Sequence, residues 1–149
     1  MSAITGGCHC GATRYRLTGP LYGLSYCYCR TCQLIHGAPF APFTNVEKEH
    51  LEWTQDDELK ELKLSSFATR TVCGVCHAPV SMVYHKQPDE VGIVAVTVDE
   101  EFVDALPAEV EGHIFVKRKP GWFVIGDGAP QDMGVPESLR GLVPDDLEV

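Results

Sequence analysis

The stretch Tyr22-Gly-Leu-Ser-Tyr-Cys-Tyr-Cys-Arg-Thr-Cys-Gln33 decides the reading of this chain. Tyr22 to Tyr28 reads as a strand that runs into three cysteines, Cys27, Cys29 and Cys32. Arg30 to His36 reads as a short helical turn ended by Gly37. Thiolates one or two residues apart on a tight turn can reach one tetrahedral metal, with bonds of roughly 2.3 Å. The pattern is therefore that of a metal-binding turn at a strand end.

The remaining cysteines repeat the theme. The chain has seven, and the other four fall as Cys8-x-Cys10 and Cys73-x-x-Cys76. An odd number cannot all pair as disulfides, and clusters without singletons are not explained by buried core thiols. Ferredoxin spacings are absent, so zinc is the expected metal rather than an iron–sulfur cluster. Seven divides naturally into four and three. A structural zinc is closed by four protein ligands, and a catalytic zinc keeps three and an open position. The triplet can be one site, and Cys8, Cys10, Cys73 and Cys76 the other. Spacing alone leaves alternatives open. Cys8 and Cys10 could share a metal with part of the triplet, and His9, His36 or His77 could supply an eighth ligand.

Composition sets the frame around these clusters. The chain holds 149 residues, enough for about one domain with a core of its own. With 14 glycines and 10 prolines it favours a turn-rich β architecture. The net charge of −9 argues against nucleic acid or an anionic membrane as the main partner. The longest near-apolar run, Val91 to Val98, is too short to span a bilayer. The first residues carry neither a basic nor an apolar leader segment, so a cytoplasmic location is expected. The acids avoid the cysteines: segments 1–46, 62–88 and 112–126 contain no Asp or Glu. A zinc held by thiolates is anionic, so nearby carboxylates would repel it and nearby cations stabilise it.

Further strands are expected at Ala12–Leu17, Phe40–Val46, Leu59–Leu64, Pro79–Tyr84 and Val91–Val98. His113–Lys117 and Trp122–Ile125 read as a hairpin around Lys119-Pro120-Gly121. The acid-rich segment after Gly126 reads as loosely ordered. The sum is an all-β, single-domain zinc-binding fold.

The runs Gly7-Cys-His-Cys-Gly11, Cys27-Tyr-Cys-Arg-Thr-Cys-Gln33 with Gly37-Ala-Pro-Phe40, and Cys73-Gly-Val-Cys76 resemble the Gfa family. That family is named for glutathione-dependent formaldehyde-activating enzyme and includes centromere protein V. The segment His113-Ile-Phe through Pro120, Trp122, Asp127-Gly and Pro130 is similar to its C-terminal pattern. The resemblance spans residues 4–131 and implies a β-sandwich-like fold with short helical turns. Residues 1–131 are then the zinc-binding domain, and 132–149 an acidic tail packed on it or extending from it. The resemblance implies a structural zinc on Cys8, Cys10, Cys73 and Cys76, and a second zinc on Cys27, Cys29 and Cys32. It also implies a carbon–sulfur lyase activity, with glutathione as co-substrate and S-hydroxymethylglutathione as the adduct. Arg30, inside the triplet, is the candidate for a ligand carboxylate, ahead of Lys117, Arg118 and Lys119. A non-catalytic zinc-stabilised interaction domain is the alternative. Two positions depart from the family pattern: Tyr28 stands where His is frequent, and His77 where Gly is usual.

Overall fold

The computed structural model describes residues 3–147. Among the described residues, ten strands form two sheets. Strands β1 (Ile4–Gly7), β2 (Arg14–Leu17) and β5 (Leu51–Gln55) make a three-stranded antiparallel sheet in the order β1-β2-β5. The larger sheet contains β3 (Tyr22–Cys27), β4 (Ala41–Glu47), β6 (Leu59–Leu62), β7 (Ala68–Cys73), β8 (Pro79–Tyr84), β9 (Glu90–Val94) and β10 (Gly112–Ile114). Its order is β10-β3-β4-β9-β8-β7-β6, antiparallel except where β10 runs parallel to β3. The all-β expectation holds. No described helix is long and apolar enough to cross a membrane.

Alternation explains how the sheets face each other. In β2, Tyr15 and Leu17 point inward while Arg16 points out. They pack with Ile4 from the small sheet and with Val46, Val91 and Ile93 from the large one. Ile93 is fully buried, and such a side chain contributes roughly 1.5–3 kcal/mol of hydrophobic stabilisation. Gly6 permits a close crossing here, because a Cβ at that position would overlap the Tyr15 hydroxyl and the Thr97 carbonyl. A second cluster surrounds the triplet and includes Cys27, Cys32, Ala41, Phe43, Met82 and Phe115.

The one α-helix among the described residues, α1 (Arg30–His36), falls where the sequence places it. Cys29 caps its start, with Sγ accepting the Cys32 N–H, and Gly37 ends it in the left-handed region at φ 60°. The strands expected at Ala12–Leu17, Tyr22–Tyr28, Phe40–Val46 and Leu59–Leu64 are present with shifted ends.

Two expectations are corrected. The strand expected to run from Val91 to Val98 stops at Val94, where a 3-10 turn covers Ala95–Thr97. The Thr97 hydroxyl donates to the Val94 carbonyl at 2.7 Å and pairs with the Tyr15 hydroxyl at 2.8 Å. This local bond competes with the sheet ladder and turns the chain. The hairpin of His113–Lys117 with Trp122–Ile125 does not form. His113 instead pairs with the segment around Gln131, its N–H donating to the Pro130 carbonyl at 2.8 Å. Val116–Arg118 is a 3-10 turn. The sequence reading also lacked β1, β5 and β7. The segment after residue 131 is less loose than expected: Val143 is buried, and Val135, Leu139 and Leu147 pack on the second cluster.

Candidate functional site

The seven cysteines converge on two points. The sulfurs of Cys8, Cys10, Cys73 and Cys76 all lie within 4.8 Å of one another, and so do those of Cys27, Cys29 and Cys32. All seven are free thiols. This grouping is the four-plus-three division, so the triplet does not share sulfurs with Cys8 and Cys10. His9, His36 and His77 belong to neither group among the described residues.

The four-cysteine group joins the turn after β1 to the turn after β7. Cys8 and Cys10 sulfurs are 3.6 Å apart, and Cys10 and Cys73 sulfurs 3.8 Å. Tetrahedral zinc–thiolate bonds of about 2.3 Å place sulfurs about 3.8 Å apart, so the donor set and its spacing fit such an ion. Backbone amides support the charge this requires. Thr13 N–H points at Cys8 Sγ at 3.3 Å, and Val75 N–H at Cys73 Sγ at 3.4 Å. Burial works against the Cys73 thiolate, but amides including that of Val75 bring its pKa down to about 6. His77 closes this turn with φ 64°, its N–H donating to the Cys73 carbonyl at 2.8 Å. The turn that glycine would favour is kept, with a histidine in the left-handed region.

The triplet is buried throughout. Cys27 ends β3, Cys29 caps α1, and Cys32 lies in the first turn of α1. Cys29 is held well below the ordinary thiol value, because Cys27 and Cys32 hydrogen-bond to its thiolate. Cys27 is pushed well above it by the same pairing with Cys29. The Arg70 guanidinium, from β7, reaches Cys32 Sγ at 3.5 Å. Burial opposes the Arg70 charge, and Cys32 more than restores it. In the sequence Arg70 is marked only by lying in the acid-free segment 62–88. Its place on β7 beside β8 is a tertiary fact that no local pattern carries.

A cavity of about 410 Å³ opens over the triplet. Among the described residues, Cys27 and Cys29 line it together with three arginines, Arg30, Arg70 and Arg118, and no carboxylate. Arg30, the residue inside the triplet, is thus one of three cations around this cavity. Lys119 is engaged elsewhere, with Nζ donating to the Pro120 carbonyl at 3.2 Å. The apolar wall includes Phe115, Met82 and Tyr84, closed by Val143 and Leu147 from the C-terminal segment. Phe115 is buried with φ 56°, an uncommon conformation for a bulky residue that is held here by its packing.

Tyr28 lies between two of the triplet cysteines but points away from the cavity. Its hydroxyl pairs with His113 Nδ1 at 2.8 Å, and His113 Nε2 pairs with Asp127 Oδ1 at 2.8 Å. Burial raises the Tyr28 pKa to about 12, and His113 holds the Asp127 carboxyl below its usual value.

Residues 3–118 match the family described as glutathione-dependent formaldehyde-activating enzyme. The chain belongs to that family. A Halomonas elongata protein with that activity as its provisional name is 28% identical over 130 residues, covering 82% of this chain and 80% of that one. The fold is also similar to a crystal structure of a Rhodobacter sphaeroides protein. There the TM-score is 0.55 at 21% identity, over 71% of this chain and 96% of that one. The family match spans both cysteine groups and all three cavity arginines.

Proposed function

We propose that this protein binds an anionic thiol such as glutathione at the three-cysteine centre and makes or breaks S-hydroxymethyl adducts of a small aldehyde. The observation that carries this reading is the cavity above Cys27, Cys29 and Cys32, with three arginines and no carboxylate among the described residues of its lining. Zinc is the metal proposed for both groups. Cys8, Cys10, Cys73 and Cys76 would hold a structural ion, and Cys27, Cys29 and Cys32 a second. When bound at the triplet, a thiophilic zinc with an open position supplies a site for an incoming sulfur.

The chain's own residues do the rest. Arg70 offsets the negative charge gathered by three thiolates and a fourth sulfur. Arg30 and Arg118 offer guanidinium groups to the carboxylates of the ligand. Val143, Leu147 and Phe115 wall the site with apolar surface, so residues 132–147 are read as part of the same unit. The ligand sulfur attacks the aldehyde carbon and forms a C–S bond. The C=O π pair moves to oxygen, which takes a proton; the reverse breaks the C–S bond and returns that proton. No oxidant is consumed. A non-catalytic interaction domain would leave this cationic cavity without a ligand.

Calorimetric titration of the zinc-loaded protein with glutathione tests this. Heat that disappears in Cys32→Ser is the expected result. The absence of heat in wild type would overturn the reading and return the interaction domain to first place.

A further inference from the structure

Gln33 is 9% exposed, and its side chain makes three hydrogen bonds around the cavity. Its Oε1 accepts from Arg30 Nη1 at 3.3 Å. Its Nε2 donates to the Tyr28 carbonyl at 3.1 Å and to the Arg118 carbonyl at 2.8 Å. One buried amide thus ties three separate parts together: the backbone between Cys27 and Cys29, one cavity arginine by its side chain, and a second by its main chain. The Arg118 turn begins at Phe115, whose left-handed backbone is itself held by packing. A polar side chain spends its bonding capacity this fully in a buried place when the groups it joins must keep a fixed relation.

We propose that Gln33 is the positioning residue of the triplet cavity: it sets Arg30 and Arg118 on one rim, and that pair selects thiols bearing carboxylates over neutral thiols. The proposal rests on the reading above, that a thiol enters at the triplet. Gln33 touches neither sulfur nor aldehyde in this scheme. It acts through the two arginines. Each charge-assisted pairing is worth about tenfold in affinity when its partner is held in place.

The test compares three ligands on zinc-loaded protein: glutathione, its diethyl ester, and S-methylglutathione. The ester lacks the carboxylate charges, and the thioether keeps them but lacks the thiol. The variants are Gln33→Met, which keeps the length and loses the bonds, and Arg118→Ala, which changes an exposed side chain. Wild type should prefer glutathione to its ester by about tenfold or more. Gln33→Met should reduce that preference to about threefold or less, compared with wild type at matched zinc content. S-methylglutathione should weaken in parallel. Arg118→Ala should lose a similar preference, and the double variant little more than either single one, because both changes remove the same contact.

A wild type that binds glutathione and its ester equally overturns the proposal while the thiol-binding reading stands. Equal loss of both ligands in Gln33→Met, with the preference intact, assigns Gln33 a purely structural role and also overturns it. Binding of S-methylglutathione that needs Gln33, with no extra affinity from the free thiol, overturns the thiol reading and with it the proposal that the arginine pair selects among thiols. If wild type binds none of the three, the reading fails and the proposal with it.

Discussion

The phenol of Tyr28 lies 2.8 Å from Nδ1 of His113, and both side chains are at most 1% exposed. Tyr28 is pinned at three points: by this bond, by its N–H to the Ile114 carbonyl at 3.0 Å, and by the Gln33 amide on its carbonyl. Its neighbours on either side are Cys27 and Cys29. The backbone that presents two of the triplet sulfurs is thus fixed by the neighbouring strand β10 and by α1.

Tyr28→Phe should therefore act on both stability and metal. It leaves a buried imidazole nitrogen unpaired, which costs about 1–3 kcal/mol. The triplet should release zinc to a chelator faster, while the four-cysteine group keeps its own. Urea unfolding and chelator-release kinetics measure the two effects. An unfolding midpoint equal to wild type would contradict the structural role of this bond.

The two cysteine groups should differ in what their loss does. Cys76→Ser opens the group that joins the β1 and β7 turns, and structural zinc supplies about 10–16 kcal/mol of folding free energy in small domains. That variant should not fold. Cys32→Ser removes a ligand from a turn already held by strand pairing and by α1, so it should keep the fold and lose one zinc per chain. Elemental analysis with far-ultraviolet circular dichroism reads both. Two zincs in wild type are expected, one in Cys32→Ser. If Cys32→Ser unfolds as completely as Cys76→Ser, the triplet is structural as well.

His77 carries φ 64° on an exposed turn. A non-glycine residue in the left-handed region costs roughly 1–2 kcal/mol, part of which glycine gives back through its freer unfolded chain. His77→Gly should stabilise the zinc-loaded protein by about 0.5–1 kcal/mol. Thermal unfolding at saturating zinc checks it, and a lower midpoint would mean that the imidazole makes a contact worth more than the strain.

The site was more legible than the fold around it. Cysteine spacing is a local signal, so both groups and the α1 turn with Gly37 could be read directly. Arg30 could be placed because it sits inside the motif. Arg70 and Gln33 could not, because their partners, Cys32 Sγ and the Arg118 carbonyl, lie 38 and 85 residues away. The expected hairpin after His113 failed for the same reason. A buried histidine takes the partners that satisfy both ring nitrogens, here Tyr28 and Asp127, and this outweighed the turn signal of Lys119-Pro120-Gly121. The burial of Val143 was hidden by the acids that surround it in sequence.

Asp99 gives the fold a pH-dependent component. Its carboxylate accepts from Arg14 Nη1 at 3.0 Å and also from Arg14 Nη2 and the Thr5 hydroxyl, so it links β1 and β2 to the turn after β9. The Arg14 hydrogen bonds hold the Asp99 carboxyl below its ordinary value, while Arg14 is raised and stays charged. A folded value below the unfolded one means that the contribution is fully present above about pH 3.9, the unfolded carboxyl pKa. It is lost as the pH falls through the folded value. Both side chains are about a quarter to a third exposed, so solvent screening limits the contribution to about 0.5–1 kcal/mol. The comparison is wild type against Asp99→Asn, in urea unfolding at saturating zinc from pH 7 to about pH 5, because loss of the structural zinc in stronger acid would unfold both proteins. The difference should hold steady across that range, which lies above the carboxyl pKa, and should shrink at about 1 M salt, which screens a partly exposed ion pair. A difference that salt leaves unchanged would show that Asp99 acts through packing and not through its charge.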